Sequence, residues 1–190
     1  MRELAEFAVP TYVIGAVAAL GAGGLAAFAG QPSGWAVITG LAFGISIALF
    51  GAGYATLVAL EKAPVGVFTP AAAYWFFAFP AAMLVHSIVT EWLFTGGPGL
   101  PAGPLWQFLL YNALLSMGFA IGFLWSHEYL GRHWWPRIRA HNRYAFIVVE
   151  EYKGLMTVLQ ERKEATARGR AEKQQQRKEA REARSAARHG

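Results

Sequence analysis

The chain has 190 residues, enough for one domain, of which 55% are hydrophobic and 15% are charged. An ordinary soluble domain contains about 25% charged residues, so this composition excludes that class. The absence of cysteine excludes disulfides, thiolate metal ligands and cysteine nucleophiles. The net charge of +5 is uneven, because residues 1–126 contain 2 Lys or Arg and 4 Glu, whereas residues 127–190 contain 15 Lys or Arg and 8 Glu.

Four apolar segments are long enough to cross a membrane, for which a helix needs about 20 residues. We predict spans at residues 8–29, 35–60, 67–94 and 105–126. The segments between them read GQPSG, EKAPVG and TGGPGLPAGP, and such clusters of Gly and Pro end helices. The sequence therefore predicts an all-α integral membrane protein whose residues 1–130 form a bundle of four transmembrane helices.

The positions of Lys and Arg predict the orientation of these spans. The first and third loops contain neither residue, whereas Arg2, Lys62 and the basic C-terminal tail fall on the other side. Because cytoplasmic loops are enriched in Lys and Arg, we predict that both termini face the cytoplasm, or the matrix in an organelle. The predicted location is a bacterial or archaeal cytoplasmic membrane or an organellar inner membrane.

A second helical pattern follows Pro136, which should let the chain turn after the fourth span. Apolar residues then recur at steps of three and four, which predicts an amphipathic interfacial helix over residues 131–160. Residues 161–190 are charged and predict a helical or disordered tail. Three cations are predicted to dock anionic lipid headgroups or a partner protein: Arg137, Arg139 and Arg143.

Small residues recur at four-residue intervals in three of the spans, and such ridges let helix backbones approach closely. The glycines concerned are Gly15 and Gly23 in the first span, Gly40 and Gly44 in the second, and Gly118 and Gly122 in the fourth. The ridges could pack the four helices together, or at least one could face another subunit. The sequence alone leaves both interpretations open.

The third and fourth spans contain polar residues at comparable predicted depth. This layer comprises His86, Glu91, Gln107, Tyr111 and Asn112, and it follows a predicted kink at Pro80. Depth alone predicts that His86 pairs with Tyr111 or Asn112, and Glu91 with Gln107. Three roles stay open: structural hydrogen bonds, an ion or proton path, and a cofactor contact in which His86 binds haem, chlorophyll or a quinone.

The segment GFLWSHEYLGRHWWPRIRAHNRY, residues 122–144, contains three of the five histidines. His127 and His133 are six residues apart, which places their rings on different faces of a helix. His141 lies beyond Pro136, so we predict no metal site. Histidine, arginine and tryptophan are all favoured where a span leaves the membrane, and this location explains the segment without chemistry.

No catalytic constellation is visible, and we expect a non-catalytic accessory or scaffold subunit of a larger membrane complex, with an energy-transducing complex as one candidate host. The expected partners are the bilayer, anionic lipid headgroups, and other membrane subunits or a second copy. Nucleic acid is not expected, because no aromatic residue for base stacking follows Tyr152. The alternatives are an oligomeric transporter or channel using Pro80, His86 and Glu91, and a cofactor-binding electron-transfer or light-harvesting subunit.

Overall fold

The computed structural model describes residues 1–97, 99–101 and 103–189, without the side chains of 171 and 175–189. Pro98 and Ala102 of the predicted third loop, and Gly190 of the predicted tail, lie outside the described residues. The described chain forms six helices: α1 (Arg2–Phe7), α2 (Val9–Phe28), α3 (Ser33–Ala59), α4 (Phe68–Thr95), α5 (Leu105–Ile138) and α6 (Arg143–His189). Helices α2 to α5 are long and apolar enough to cross a membrane, which confirms the predicted all-α, four-span fold.

Turn chemistry explains where the spans begin and end. Gly30, at φ 82°, lies beyond the end of α2, and Pro32 is the N-cap of α3. Gly96 ends α4 in the left-handed conformation that glycine adopts without steric cost, and its N–H donates to the Trp92 carbonyl at 2.9 Å. Pro80 is buried inside α4, which continues as a helix on both sides of it.

The four long helices form a bundle in which α3 contacts α2 and α4, while α5 contacts α4 and α2. Small residues line the contact between α2 and α3. Aromatic rings fill the space between α3, α4 and α5, where the ring centroid of Phe123 lies 4.5 Å from that of Trp75 and 5.7 Å from that of Tyr54. We call the end of the bundle that holds α1 the N-terminal end, and the end that holds the α2–α3 and α4–α5 loops the opposite end.

The chain after the fourth predicted span differs from its prediction. Helix α5 runs through Pro136 to Ile138, so the predicted turn at Pro136 is wrong, and the following helix begins at Arg143 instead of residue 131. A proline removes one backbone donor, a small loss where the freed carbonyl can reach water. Pro136 is exposed and lies two residues before the helix ends, which fits this explanation.

The chain divides into two compact units, Met1–Val149 and Glu150–Gly190. The described part of the second unit is the later part of α6. The predicted boundary at residue 161, between the amphipathic helix and the charged tail, lies within this one helix. Ion pairs within the helix link Lys153 to Glu150 at 2.7 Å and Arg168 to Glu164 at 3.4 Å. Such exposed pairs add little stability.

Candidate functional site

The contact between α2 and α3 depends on glycine. A Cβ added to Gly15 would lie 2.6 Å from both the Cβ of Ala48 and the carbonyl oxygen of Gly44. A Cβ added to Gly44 would lie 2.5 Å from the carbonyl oxygen of Gly15 and would collide with Ala19. Since real Cβ atoms do not come so close, the two backbones can touch only because these positions have no side chain.

The same contact continues toward the opposite end. A Cβ on Gly40 would lie 2.5 Å from the Ala19 carbonyl oxygen, and one on Gly23 would lie 3.0 Å from the Ala36 carbonyl oxygen. Two further glycines of the predicted ridges, Gly118 and Gly122 of α5, have no such neighbour: an added Cβ would meet nothing within 4 Å among the described atoms. The structure therefore places four of the six ridge glycines inside the bundle and two on its surface.

Two polar residues of the predicted layer, His86 and Asn112, have hydrogen-bond partners within their own helices. The Thr90 hydroxyl donates to the His86 carbonyl at 2.7 Å, and its oxygen lies 3.4 Å from His86 Nδ1. The Asn112 amide donates to the Phe108 carbonyl at 2.9 Å. The cross-helix pairs expected from depth do not form among the described residues: His86 and Asn112 each find a partner one turn away on their own helix.

The predicted polar layer is consequently divided. Asn112 is buried, whereas Tyr111 is 63% exposed and Gln107 is also exposed. The His86 and Phe43 rings are nearly perpendicular, with 5.7 Å between their centroids. His86 and Glu91 therefore belong to one feature of α4, and the polar residues of α5 do not join it.

That feature is a pocket of about 410 Å³ at the opposite end of the bundle. Its lining residues are His86, Ser87, Thr90 and Glu91 of α4 and Gly99, Leu100 and Pro101 of the α4–α5 loop. Ser87, Thr90 and the loop wall were not among the predicted site residues, and the loop of Gly and Pro gives no periodic signal that would mark a site. A cofactor contact through His86 stays a prediction.

The three histidines of the segment 122–144, at the N-terminal end of the bundle, have three different environments. His127 is 1% exposed, and its ring lies 5.4–5.6 Å from those of Tyr54, Phe123 and Trp135. Its Nε2 atom has no hydrogen-bond partner among the described residues. His133 is exposed, and its Nδ1 lies 2.7 Å from the Tyr129 carbonyl oxygen.

The third histidine of the segment, His141, contacts the N-terminal helix. His141 Nε2 lies 2.8 Å from one carboxylate oxygen of Glu6, and the Asn142 amide donates to the other at 3.2 Å. These two hydrogen bonds, with that of His141 the stronger, lower the pKa of Glu6 below its ordinary value of 4.5. The Asn142 amide also donates to the Glu3 carbonyl at 2.8 Å.

Two tryptophans complete the attachment of α1. The indole N–H of Trp134 donates to the Glu6 carbonyl at 2.8 Å, and that of Trp135 donates to the Phe7 carbonyl at 3.1 Å. The rings of Trp135 and Phe7 are stacked, with centroids 5.0 Å apart. These bonds satisfy two carbonyls in the last turn of α1, where the helix offers no backbone partner, so the segment joins the N-terminus to the end of α5.

The charged side chains of this segment differ in exposure and partner. Glu128 accepts a hydrogen bond from the Gly66 N–H at 2.6 Å, which ties α5 to the α3–α4 loop. Arg137, Arg139 and Arg143 are all exposed. The Nε atom of Arg143 lies 3.8 Å from a carboxylate oxygen of Glu3. Within the described part of the chain, no group of three or more His, Asp or Glu side chains could hold a metal ion.

A comparison of the chain with family models, curated proteins and solved structures finds no match. The function must therefore be argued from the geometry of this molecule.

Proposed function

We propose that the chain is a non-catalytic accessory or scaffold subunit of a larger membrane complex. The observation that supports this role is a set of exposed apolar side chains on α6. Leu155, Met156, Val158 and Leu159 are 41–63% exposed, and they recur at helical steps of three and four. Complete burial of an exposed side chain of this kind is worth about 1.5–3 kcal/mol, and about half of each surface is still exposed here, so this stripe favours association.

The charge of the same stretch favours a protein partner over an anionic membrane surface. Residues 150–174 contain 6 Lys or Arg and 5 Glu, a net charge of only +1. Attraction to anionic lipid grows by about 1 kcal/mol for each basic residue near the surface, and this stretch has almost no excess of them. Arg137 and Arg139 lie outside it and are exposed, so they are the described cations best placed for a lipid headgroup.

Extraction in a mild detergent, followed by mass spectrometry of the copurifying proteins, tests this role. We expect stoichiometric partners with the wild-type chain and at least a tenfold loss of them with Leu155→Glu and Leu159→Glu combined. The matched control combines Thr157→Glu and Gln160→Glu, which add the same charge at exposed polar positions. Recovery of the wild-type chain as a lone monomer would contradict the proposal. Equal partner loss in both double variants would show that charge, not the apolar stripe, decides association.

An oligomeric transporter or channel is the second candidate, and the polar pocket at His86 and Glu91 favours it. The pocket lies at the opposite end of the bundle, where it would serve as the entrance to a path, and intramembrane ionisable residues commonly mark such paths. Solute or proton flux into liposomes that is abolished by His86→Ala would support this candidate. Purified chain that gives no flux would leave the subunit role as the better explanation.

A further inference from the structure

We propose that the pocket lined by His86, Ser87, Thr90 and Glu91 binds a small organic ammonium ion. Binding at this pocket does not depend on the subunit role, because a lone chain contains every lining residue. The volume of about 410 Å³ lies within the range of about 300–1,000 Å³ typical of small-molecule sites.

The four residues of α4 form one patch because they occupy two adjacent positions and the two positions one turn later. Side chains three and four residues apart on a helix are neighbours, so His86, Ser87, Thr90 and Glu91 present their polar atoms together. The loop residues Gly99, Leu100 and Pro101 form the other wall. A ligand would thus meet polar atoms on one side and apolar surface on the other.

The lining groups suit a ligand that donates hydrogen bonds and is positively charged. Among the described lining residues, Glu91 is the only charged one, and none is Lys or Arg. The Thr90 hydroxyl proton is already donated to the His86 carbonyl at 2.7 Å, so its oxygen is left to accept. An ammonium group has only donors, and its bond to a carboxylate is charge-assisted. Leu100 and Pro101 would contact its alkyl part.

A divalent metal ion fits this lining less well. Of the lining residues that the structure describes, only His86 and Glu91 commonly bind transition metals, whereas protein zinc sites use three or four such ligands. Ser87 and Thr90 hydroxyls are better suited to accept hydrogen bonds from an amine. The ammonium group could come from a free alkylamine or from the headgroup of phosphatidylethanolamine.

Gly99 determines the position of the carboxylate. A Cβ added to Gly99 would collide with the Cγ atom of Glu91 and would lie 3.0 Å from its Cβ. The Glu91 side chain therefore packs directly against the loop backbone. Gly97, two residues earlier, would accept a Cβ with nothing within 4 Å among the described atoms, which provides a matched control.

Isothermal titration calorimetry of the full chain in detergent, with butylammonium as the probe and 1-butanol as the neutral analogue, tests the proposal. We expect butylammonium to bind and 1-butanol not to bind. Glu91→Gln should weaken binding by at least about tenfold, the fold-change expected for the loss of one hydrogen bond to a charged group. Glu61→Gln, which removes an exposed carboxylate from the α3–α4 loop, should bind as the wild type does.

A second pair of variants keeps the charge and changes the geometry. Gly99→Ala should weaken butylammonium binding several-fold, and Gly97→Ala should not. The proposal would be overturned if the chain bound butylammonium and butanol equally well, or if the Glu91→Gln variant bound butylammonium as tightly as the wild type. Tighter binding of Zn²⁺ than of butylammonium would overturn it too.

Nanodiscs distinguish the two sources of the ammonium group. If the lipid headgroup occupies the pocket, butylammonium should bind more weakly in phosphatidylethanolamine nanodiscs than in phosphatidylglycerol nanodiscs. Equal affinity in both would assign the pocket to a free amine.

Discussion

Two helices contain the same pair of glycines four residues apart, and their surroundings are opposite. Gly40 and Gly44 of α3 press against the backbone of α2, where an added Cβ would lie within about 2.5 Å of a carbonyl oxygen. Gly118 and Gly122 of α5 face open space, where an added Cβ would meet nothing within 4 Å among the described atoms. Glycines with the same four-residue spacing thus pack against a neighbouring helix in α3 and do not contact one in α5.

The comparison shows that a small-residue motif indicates where helices can approach closely, not where they do. The difference arises from helix rotation, which turns one ridge toward a neighbour and the other outward. Lipid tails give no hydrophobic drive for helices to associate, so close backbone packing is a main source of stability in such a bundle. Substitutions at the two pairs should therefore differ strongly in effect.

The largest expected effect is that of Gly44→Leu. A leucine at this position must push α2 away from α3, and overpacking costs about 1–3 kcal/mol even for smaller insertions, so we expect a loss of about 3 kcal/mol or more. Gly118→Leu is the matched control and should leave stability nearly unchanged. Thermal unfolding in detergent, followed by tryptophan fluorescence, measures both. Equal destabilisation by the two variants would contradict the comparison.

A third environment is that of Gly131, whose neighbour is a side chain instead of a backbone. A Cβ there would lie 2.5 Å from Cζ3 and 2.8 Å from Cε3 of the buried Trp135 ring. Because Trp135 also stacks on Phe7, its ring cannot move freely, and we expect Gly131→Ala to cost about 1–3 kcal/mol. The same unfolding assay measures this loss. A Gly131→Ala chain as stable as the wild type would show that the ring shifts at little cost.

The attachment of α1 also depends on polar contacts and should therefore respond to pH as well as to side-chain volume. The pKa of Glu6 is lowered in the folded chain, so its contribution to stability is present above its ordinary value of 4.5 and is lost as the pH falls through the lowered value. From about pH 6 to about pH 3, the wild type should lose more stability than Glu6→Gln. Unfolding measured across this range tests the difference. The Glu61→Gln control should follow the wild-type profile, and parallel profiles for the wild type and Glu6→Gln would contradict the expectation.

The smallest expected effect, and one of opposite sign, is that of Gly122→Ala. Alanine is favoured over glycine within a helix by about 0.8–1 kcal/mol in water, and the added methyl group meets no atom. We expect stability to be unchanged or raised by up to about 1 kcal/mol in the unfolding assay. A clear loss of stability would mean that a neighbour covers this face, for example a second copy of the chain.

Much of the fold could be predicted because a bilayer limits the choices. A spanning segment must satisfy its own backbone groups, so four apolar runs of sufficient length imply four helices. Gly and Pro between the runs placed the loops within a few residues of those observed. The helix that contains the fourth predicted span continues to Ile138, through the Trp, His and Arg residues after residue 126 that are typical of an interface.

The contacts of the polar residues could not be predicted in the same way. Depth along two antiparallel helices suggested that His86 meets Asn112, yet each bonds to a group one turn away on its own helix. The histidine-rich segment likewise showed no sign that His141 would contact Glu6, which is 135 residues earlier. The pocket combines α4 with a loop, and the loop contributes no side-chain pattern that marks a site.

The sequence by itself determined the class of protein, the number of spans and the positions of the loops, because those depend on apolar length and on residues that end helices. Only the tertiary structure decided which glycines touch another helix, where each histidine lies, and that Glu91 and His86 share a pocket. The physical reason is rotation: spans that are apolar on every side have no polar face to show which side is turned inward.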